Sequence, residues 1–399
     1  MRFLSFALVV LAATPLLAQS TFDLQGYVAG RAVNANGPES WLAGDVGRLE
    51  AGDDNDAFTG VAQLGFDWTP SQYFDVHVSG AARRDPETFG GDNGGIVEAF
   101  ADARAVFGND QLQLRAGQFF LPSSRENKDE LWTSPYAISF SALNTWIAEE
   151  VRPVGVDLEW RHTLGNGHLL TAAATGFRGN DSMGALLGWR GWTVGNRLST
   201  YNEVLPLPPL ASFNTFFADQ RDDGTKPFGK DLDGGTGVSA RIRYSIPQRA
   251  NVQYLYADNR ADRRLYDGEY AWATDFHLLS AEAGNPDNFV IAAEYLTGST
   301  GMGFAPAFVQ ADFYATYVLI SEKIGRTRWT ARYELFGTEE QDFSLAEEND
   351  ESGRSWTFAW LYDLTPSLRL GTEFTQVSGH RASVSMDAHS YTVEARYKF

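Results

Sequence analysis

The chain has 399 residues, a formal net charge of −19 and no cysteine. Without thiols it has no disulfide scaffold, thiolate metal site or thiol nucleophile, and its acidic balance argues against nucleic acid as a partner, because phosphate would be repelled. Aromatic side chains make up 14% of the chain, which suits rings lying at the boundary between an apolar and an aqueous phase.

Residues 1–18 read as a cleaved secretory signal peptide. Arg2 precedes an apolar run from Phe3 to Ala13, Pro15 breaks it, and small residues lead to a cleavage point after Ala18. The run is too short for a stable membrane span. The remainder, 19–399, is expected to form one unit whose first strand begins near Phe22, leaving no segment for an N-terminal plug.

From Phe22 onward, short segments alternate apolar and polar residues, the period of strands whose two faces meet different surroundings. Val154, Val156, Leu158 and Trp160 stand against Gly155, Asp157, Glu159 and Arg161; Trp356, Phe358, Trp360 and Tyr362 stand against Ser355, Thr357 and Asp363. The segments number about sixteen, an even count as barrels require. They lie near 22–33, 58–68, 73–84, 96–107, 111–119, 152–163, 168–178, 235–246, 250–260, 269–282, 288–298, 307–322, 327–337, 354–363, 368–378 and 388–399.

Every second connection reads as a tight turn, among them Thr69-Pro70-Ser71-Gln72, Gly108-Asn109-Asp110, Gly165-Asn166-Gly167, Asn285-Pro286-Asp287 and Thr365-Pro366-Ser367. The intervening connections 34–57, 85–95, 120–151, 179–234 and 338–353 are longer and polar. Segment 179–234 holds Trp189, Trp192 and Leu205-Pro206-Leu207-Pro208-Pro209 and reads as an ordered long loop, with the strand count open by one hairpin there. Segregated loop lengths predict an all-β fold: a transmembrane antiparallel β-barrel with short periplasmic turns and long extracellular loops. A sandwich has no reason to segregate them.

In the last segment Tyr391, Val393, Ala395, Tyr397 and Phe399 share one face, and Thr392, Glu394, Arg396 and Lys398 the other. This resembles the C-terminal assembly signal of outer-membrane barrels, which implies the outer membrane of a Gram-negative bacterium, with lipid and lipopolysaccharide as surroundings. The text Ala116-Gly117-Gln118-Phe119-Phe120-Leu121-Pro122, then Ser124-Arg125-Glu126, Thr133-Ser134-Pro135 and Glu149-Glu150-Val151-Arg152-Pro153-Val154-Gly155, resembles the phosphate-selective porin O and P family and its DcaP-like relatives. The resemblance implies a homotrimeric, passive diffusion channel for small hydrophilic or ionic solutes, in which loop 120–151 folds inward and narrows the pore. The chain departs from the phosphate-selective members in lacking a dense arginine ladder and lysine cluster, so phosphate selectivity is not carried over.

The face expected to line the lumen carries both signs. Arg115, Arg152, Arg241, Arg243 and Arg332 alternate with Asp157, Glu159, Glu334 and Glu373, and the expected constriction loop carries Arg125, Glu126, Lys128, Asp129, Glu130, Glu149 and Glu150. Acids of the loop set against inward arginines would give a narrow zone with a transverse field. The alternative is that these charges only solvate a wet interior and pair across strands.

No enzyme signature appears: the six histidines show no HExxH spacing, no serine sits in a Gly-x-Ser-x-Gly elbow, and Gly301-Met302-Gly303 lacks a third glycine. The chain is therefore expected not to be an enzyme and to need no cofactor or metal. Asp231-Leu232-Asp233-Gly234 is a fragment of a calcium loop without its distal Glu. The acidic tips Asp53-Asp54-Asn55-Asp56 and Glu347-Glu348-Asn349-Asp350-Glu351 read as solvated loop ends, or as cation-bridged contacts to lipopolysaccharide. Two other readings stay open: a phospholipase-like barrel enzyme, whose residues would come from neighbouring strands, and a structural or adhesive barrel.

Overall fold

The computed structural model describes residues 20–53, 56–84, 94–220, 224–342, 348–382 and 384–399. The expected signal peptide, most of the expected loop 85–95, and Asp54, Asn55 and Glu347 of the acidic tips lie outside the described residues.

Sixteen antiparallel strands form the wall. They are β1 (Thr21–Asn36), β2 (Asp56–Ser71), β3 (Phe74–Arg84), β4 (Gly94–Phe107), β5 (Asp110–Gln118), β6 (Val154–Thr163), β7 (Leu169–Arg178) and β8 (Gly237–Ile246). The circuit continues with β9 (Ala250–Asp258), β10 (Ala273–Gly284), β11 (Phe289–Phe304), β12 (Ala307–Ile324), β13 (Thr327–Glu340), β14 (Glu351–Asp363), β15 (Leu368–Arg381) and β16 (Ala388–Lys398). Each strand pairs with the next, and β1 pairs with β16 from Tyr27 opposite Lys398 to Asn36 opposite His389. Gly26 and Phe399 exchange both backbone bonds at 3.0 Å. Closure leaves the wall without an exposed hydrogen-bonding edge.

The alternation sorts the two faces as expected. Phe22, Leu24, Leu64, Val156, Leu158, Ile242, Tyr295, Val318, Trp356 and Phe358 are exposed on the outside, while Gln63, Asp157, Glu159, Arg241, Glu294, Arg332 and Glu373 are buried on the inside. A continuous apolar exterior around a charged interior is the reverse of a soluble domain, and its stable surroundings are hydrocarbon.

Two local readings need correction. Pro70 is not in the turn: β2 runs on to Ser71, and the chain reverses at Gln72-Tyr73. Proline lacks the donor a regular ladder needs, and the register is interrupted between Trp68 and Ser71, where its missing N–H is tolerated. The segment expected at 288–298 also runs further, to Phe304. Strands β11 and β12 have 16 and 18 residues and are joined only through Ala305-Pro306, so the wall itself stands taller there.

Among its described residues, segment 179–236 adds no wall strand; it contains helix α2 (Ala185–Trp189) and a small pairing of Leu205–Pro206 with Gly224–Thr225. Helix α1 (Ala142–Glu150) lies in the connection between β5 and β6. The apolar core sits within the barrel, where Leu143, Trp146 and Ile147 of α1 meet Trp192 and the inward Phe276, Leu278, Phe313 and Phe336.

Candidate functional site

Irregular backbone at membrane depth is tolerable only where its N–H and C=O groups find partners or water. Segment 119–153 crosses the interior, and inward carboxylates of the wall supply those partners. Glu98 accepts from the Phe120 N–H at 2.9 Å, Glu294 from Arg125 at 2.9 Å, Glu334 from Ala142 at 2.6 Å, and Glu373 from Ile138 and Ser139 at 2.6 and 3.0 Å. The period-two alternation of β4, β11, β13 and β15 aims these acids inward.

Arg332 is the hub of this contact. Its guanidinium meets Glu126 at 2.5 Å and Glu334 at 2.7 Å and donates to the Ser139 and Phe140 carbonyls at 2.9 and 3.0 Å. Arg332 and Glu126 side chains are both 0% exposed. The loop acid Glu126 and the wall arginine Arg332 are thus in direct contact, with protein filling the space between loop and wall. A buried charge is stable only when paired and hydrogen-bonded, as this one is.

Helix α1 begins at Ser141, whose Oγ accepts from the Asn144 N–H, satisfying one of the first-turn donors. Trp146 packs edge-on against Phe276 with ring centroids 5.3 Å apart. At the other end Glu149 pairs with Arg190 at 2.6 Å, and the Arg190 guanidinium lies 4.4 Å from the centre of the Trp41 ring. Glu150 accepts from Trp146 Nε1 at 2.7 Å and from the Leu186 and Gly184 N–H groups at 3.0 and 3.1 Å, so it ties α1 to the start of α2. Burial pushes the Glu150 carboxyl up to about 8, against the Leu186 and Trp146 donors that hold it down. Burial likewise raises Glu149, opposed by Arg190.

Arg152 is also fully buried. Its guanidinium lies between the Phe120 and Phe228 rings, 4.7 and 4.3 Å from their centres, and donates to the Ser199 carbonyl. Its Nε and Nη1 are buried without a partner, and burial lowers its pKa to about 10.

The wall from β4 to β8 holds a second group. Arg115 makes a two-point pair with Asp102 at 2.9 and 2.8 Å, and Arg241 a two-point pair with Asp157 at 2.8 and 2.9 Å plus Glu159 at 2.8 Å. Such forked pairs fix geometry as well as charge. Arg243 lies beside Glu159, Arg125, Arg161 and Arg241, is partly exposed, and makes no hydrogen bond or ion pair among the described residues.

The remaining loop charges point toward the short-turn end. Arg125 donates to Asn251 at 3.0 Å, Lys128 pairs with Glu282 at 2.5 Å, Asp129 pairs with Lys398 at 3.4 Å, and Glu130 is exposed. Lys128 and Asp129 join Lys323, Arg328, Arg369 and Asp363 around a cavity of about 300 Å³.

The expected site residues thus fall into four groups instead of one ring. Glu126, Arg332, Glu334 and Glu373 form a buried knot; Glu149, Glu150 and Arg152 join two loops; Arg115, Asp157, Glu159, Arg241 and Arg243 stay on the wall; Arg125, Lys128, Asp129 and Glu130 face the short-turn end. Sequence reading missed Glu98 and Arg190. Glu98 lies four residues before the inward Asp102 on the same face of β4, a spacing that could have found it, and Arg190 lies in a loop without periodicity. It did not foresee Asp181 within 4.8 Å of Asp231 and Asp233, where Asp181 already accepts from the Leu232 N–H at 2.6 Å.

No family model matches the chain, and no curated protein matches it in sequence. Solved structures match along almost the whole length. The outer membrane channel DcaP of Acinetobacter baumannii is 13% identical, with 95% of this chain and 97% of that chain covered and a TM-score of 0.56. OmpF of Salmonella typhi, in complex with daunomycin, is 12% identical over 95% and 97%, with a TM-score of 0.55. OmpT of Vibrio cholerae in its trimer form, an outer membrane protein, is 11% identical over 95% and 99%, with a TM-score of 0.53. At these identities the likeness is one of fold: the chain has the barrel of porin-type outer-membrane proteins, and at that level its resemblance to DcaP-like porins holds.

Proposed function

We propose that this chain is exported to the outer membrane, assembles as a homotrimer, and conducts small hydrophilic or ionic solutes by passive diffusion. The observation that carries the reading is the wall from β4 to β8. Its inward face presents Arg115, Asp157, Glu159, Arg241 and the unpaired, partly exposed Arg243 beside the charged short-turn end. A hydrated ion passing fixed charges of both signs at short range would exchange part of its hydration for them. In this reading Arg243 and Arg161 line the route, and the knot at Arg332 holds the constricting loop in place.

Planar-bilayer recording under a salt gradient tests it. The expected result is stable single-channel steps whose reversal potential moves toward cation preference when Arg243 becomes Glu. A folded, inserted barrel without steps would overturn the channel reading. One observation favours a second reading: segments 119–153 and 179–236 fill much of the interior, which suits a structural or adhesive barrel that works through its outer loops.

A further inference from the structure

The short-turn end of the barrel holds a pocket that lies off the route along β4 to β8. It has two lobes. The inner one is the cavity of about 300 Å³ at the loop tip, bordered by Lys128, Asp129 and Pro135 of the loop and by Asp287, Arg328 and Leu361 of the wall. The outer one, about 370 Å³, opens among the turns at Gly325-Arg326 and Thr365-Pro366-Ser367. Lys323, Asp363, Arg369 and Lys398 line both. Behind Pro135, Tyr136 is fully buried against Val290, Ala292, Tyr317 and Leu319. A solute entering from the turns therefore meets a closed end.

The chain as a whole carries a charge of −19, yet this pocket is cationic. Lys128, Lys323, Arg326, Arg328, Arg369 and Lys398 stand against Asp129, Asp287 and Asp363. Lys128 is taken by Glu282 at 2.5 Å, which leaves an excess of two positive charges. Lys323 and Lys398 meet Asp363 and Asp129 only at 3.5 and 3.4 Å. Arg328 and Arg326 donate to the Pro286 and Leu364 carbonyls, at 2.5 and 3.2 Å, contacts that cancel no charge. Arg369 is the telling residue. Its side chain is 8% exposed, and its Nε and Nη2 are buried without a hydrogen-bond partner. Glu394 stands 3.8 Å away and is already held by Arg31 and Arg396 at 2.9 and 3.0 Å. A guanidinium taken out of water without a partner is costly, and its fork of donors fits a carboxylate or a phosphate.

We infer that this pocket binds one small molecule with two anionic groups, phosphate or carboxylate, taken up from the periplasm and held instead of conducted. Two groups suit two lobes that meet at Arg369, and two negative charges match the excess. A ligand in the inner lobe touches loop and wall together, so it braces residues 128–136 from the periplasmic side. The inference rests on the orientation of the barrel in the outer membrane and not on conduction.

The test is isothermal titration calorimetry of the full chain, folded in detergent at low salt, with pyrophosphate, with glutarate, and with acetate as the one-group control. The wild type should saturate at one ligand per protomer with pyrophosphate, glutarate or both, which tells phosphate from carboxylate, and acetate should bind at least tenfold more weakly. Arg369→Gln should weaken binding by about tenfold or more, as loss of a hydrogen bond to a charged group requires. Lys323→Gln, at a partly exposed turn where folding is not at stake, should weaken it as well. In the wild type the ligand should also slow hydrogen exchange over 128–136. No saturation by either ligand, acetate binding as tightly, or unchanged affinity in both variants overturns the inference. So does protection confined to β4 to β8, which would place the anion on the conduction route. Because the readout is bound ligand, a barrel that conducts nothing could still pass this test.

Discussion

At the scale of single residues, the interior is organised by charges that the wall aims inward and the loops complete. Arg332 joins Glu126, 206 residues away in the chain, to its own neighbour Glu334. Replacing it by Met would leave two buried carboxylates facing no cation, a class of change costing about 3–5 kcal/mol. Arg332→Met should therefore expose residues 126–142 to hydrogen exchange while the wall stays protected, and adding Glu126→Gln should restore part of the protection. Glu150 gives a pH dependence. Its carboxyl is raised by burial from 4.5 to about 8, so the folded state holds a proton that the unfolded chain releases. Its contribution is full below the ordinary carboxylate range and declines as pH rises through the window from 4.5 to about 8. Exchange protection of α2 should fall across that window, and Glu150→Gln should flatten the fall. That Arg332, Glu334 and Glu373 face inward was legible from alternation alone. Their partners were not, because no local pattern says which backbone N–H a wall carboxylate will meet.

At the scale of elements, all sixteen strands were legible, since each presents one apolar and one polar face over nine or more residues. The failures occur where one residue departs from the period. Pro70 reads as a turn former but sits in a register break. Helix α1 has no apolar stripe because it is buried on every side, so periodicity could not announce it. The seam yields a prediction of its own. A Cβ on Gly26 would come within 2.7 Å of the Gln63 carbonyl oxygen and 2.8 Å of the Phe399 ring. Gly26→Val should thus destabilise closure by about 1–3 kcal/mol, the usual cost of overpacking. The measurement is the fraction of chain refolded in detergent that regains its β-sheet circular dichroism.

At the scale of the whole molecule, the outside and inside of the wall were predictable from composition and alternation, whereas the degree to which loops occupy the interior was not. Loop packing depends on contacts between segments far apart in sequence, and those carry no period. Closure itself has a consequence for how the molecule comes into being. Arg31 of β1 bonds Glu394 of β16 across 363 residues, so the last pairing cannot form until nearly the whole chain is available. With no cysteine to tether an intermediate, a partly assembled wall would expose two unpaired edges together with its apolar face. Assembly is therefore slow by topology, and the vulnerable species is the open sheet. Keeping it from other chains is a task for the cell until β16 meets β1.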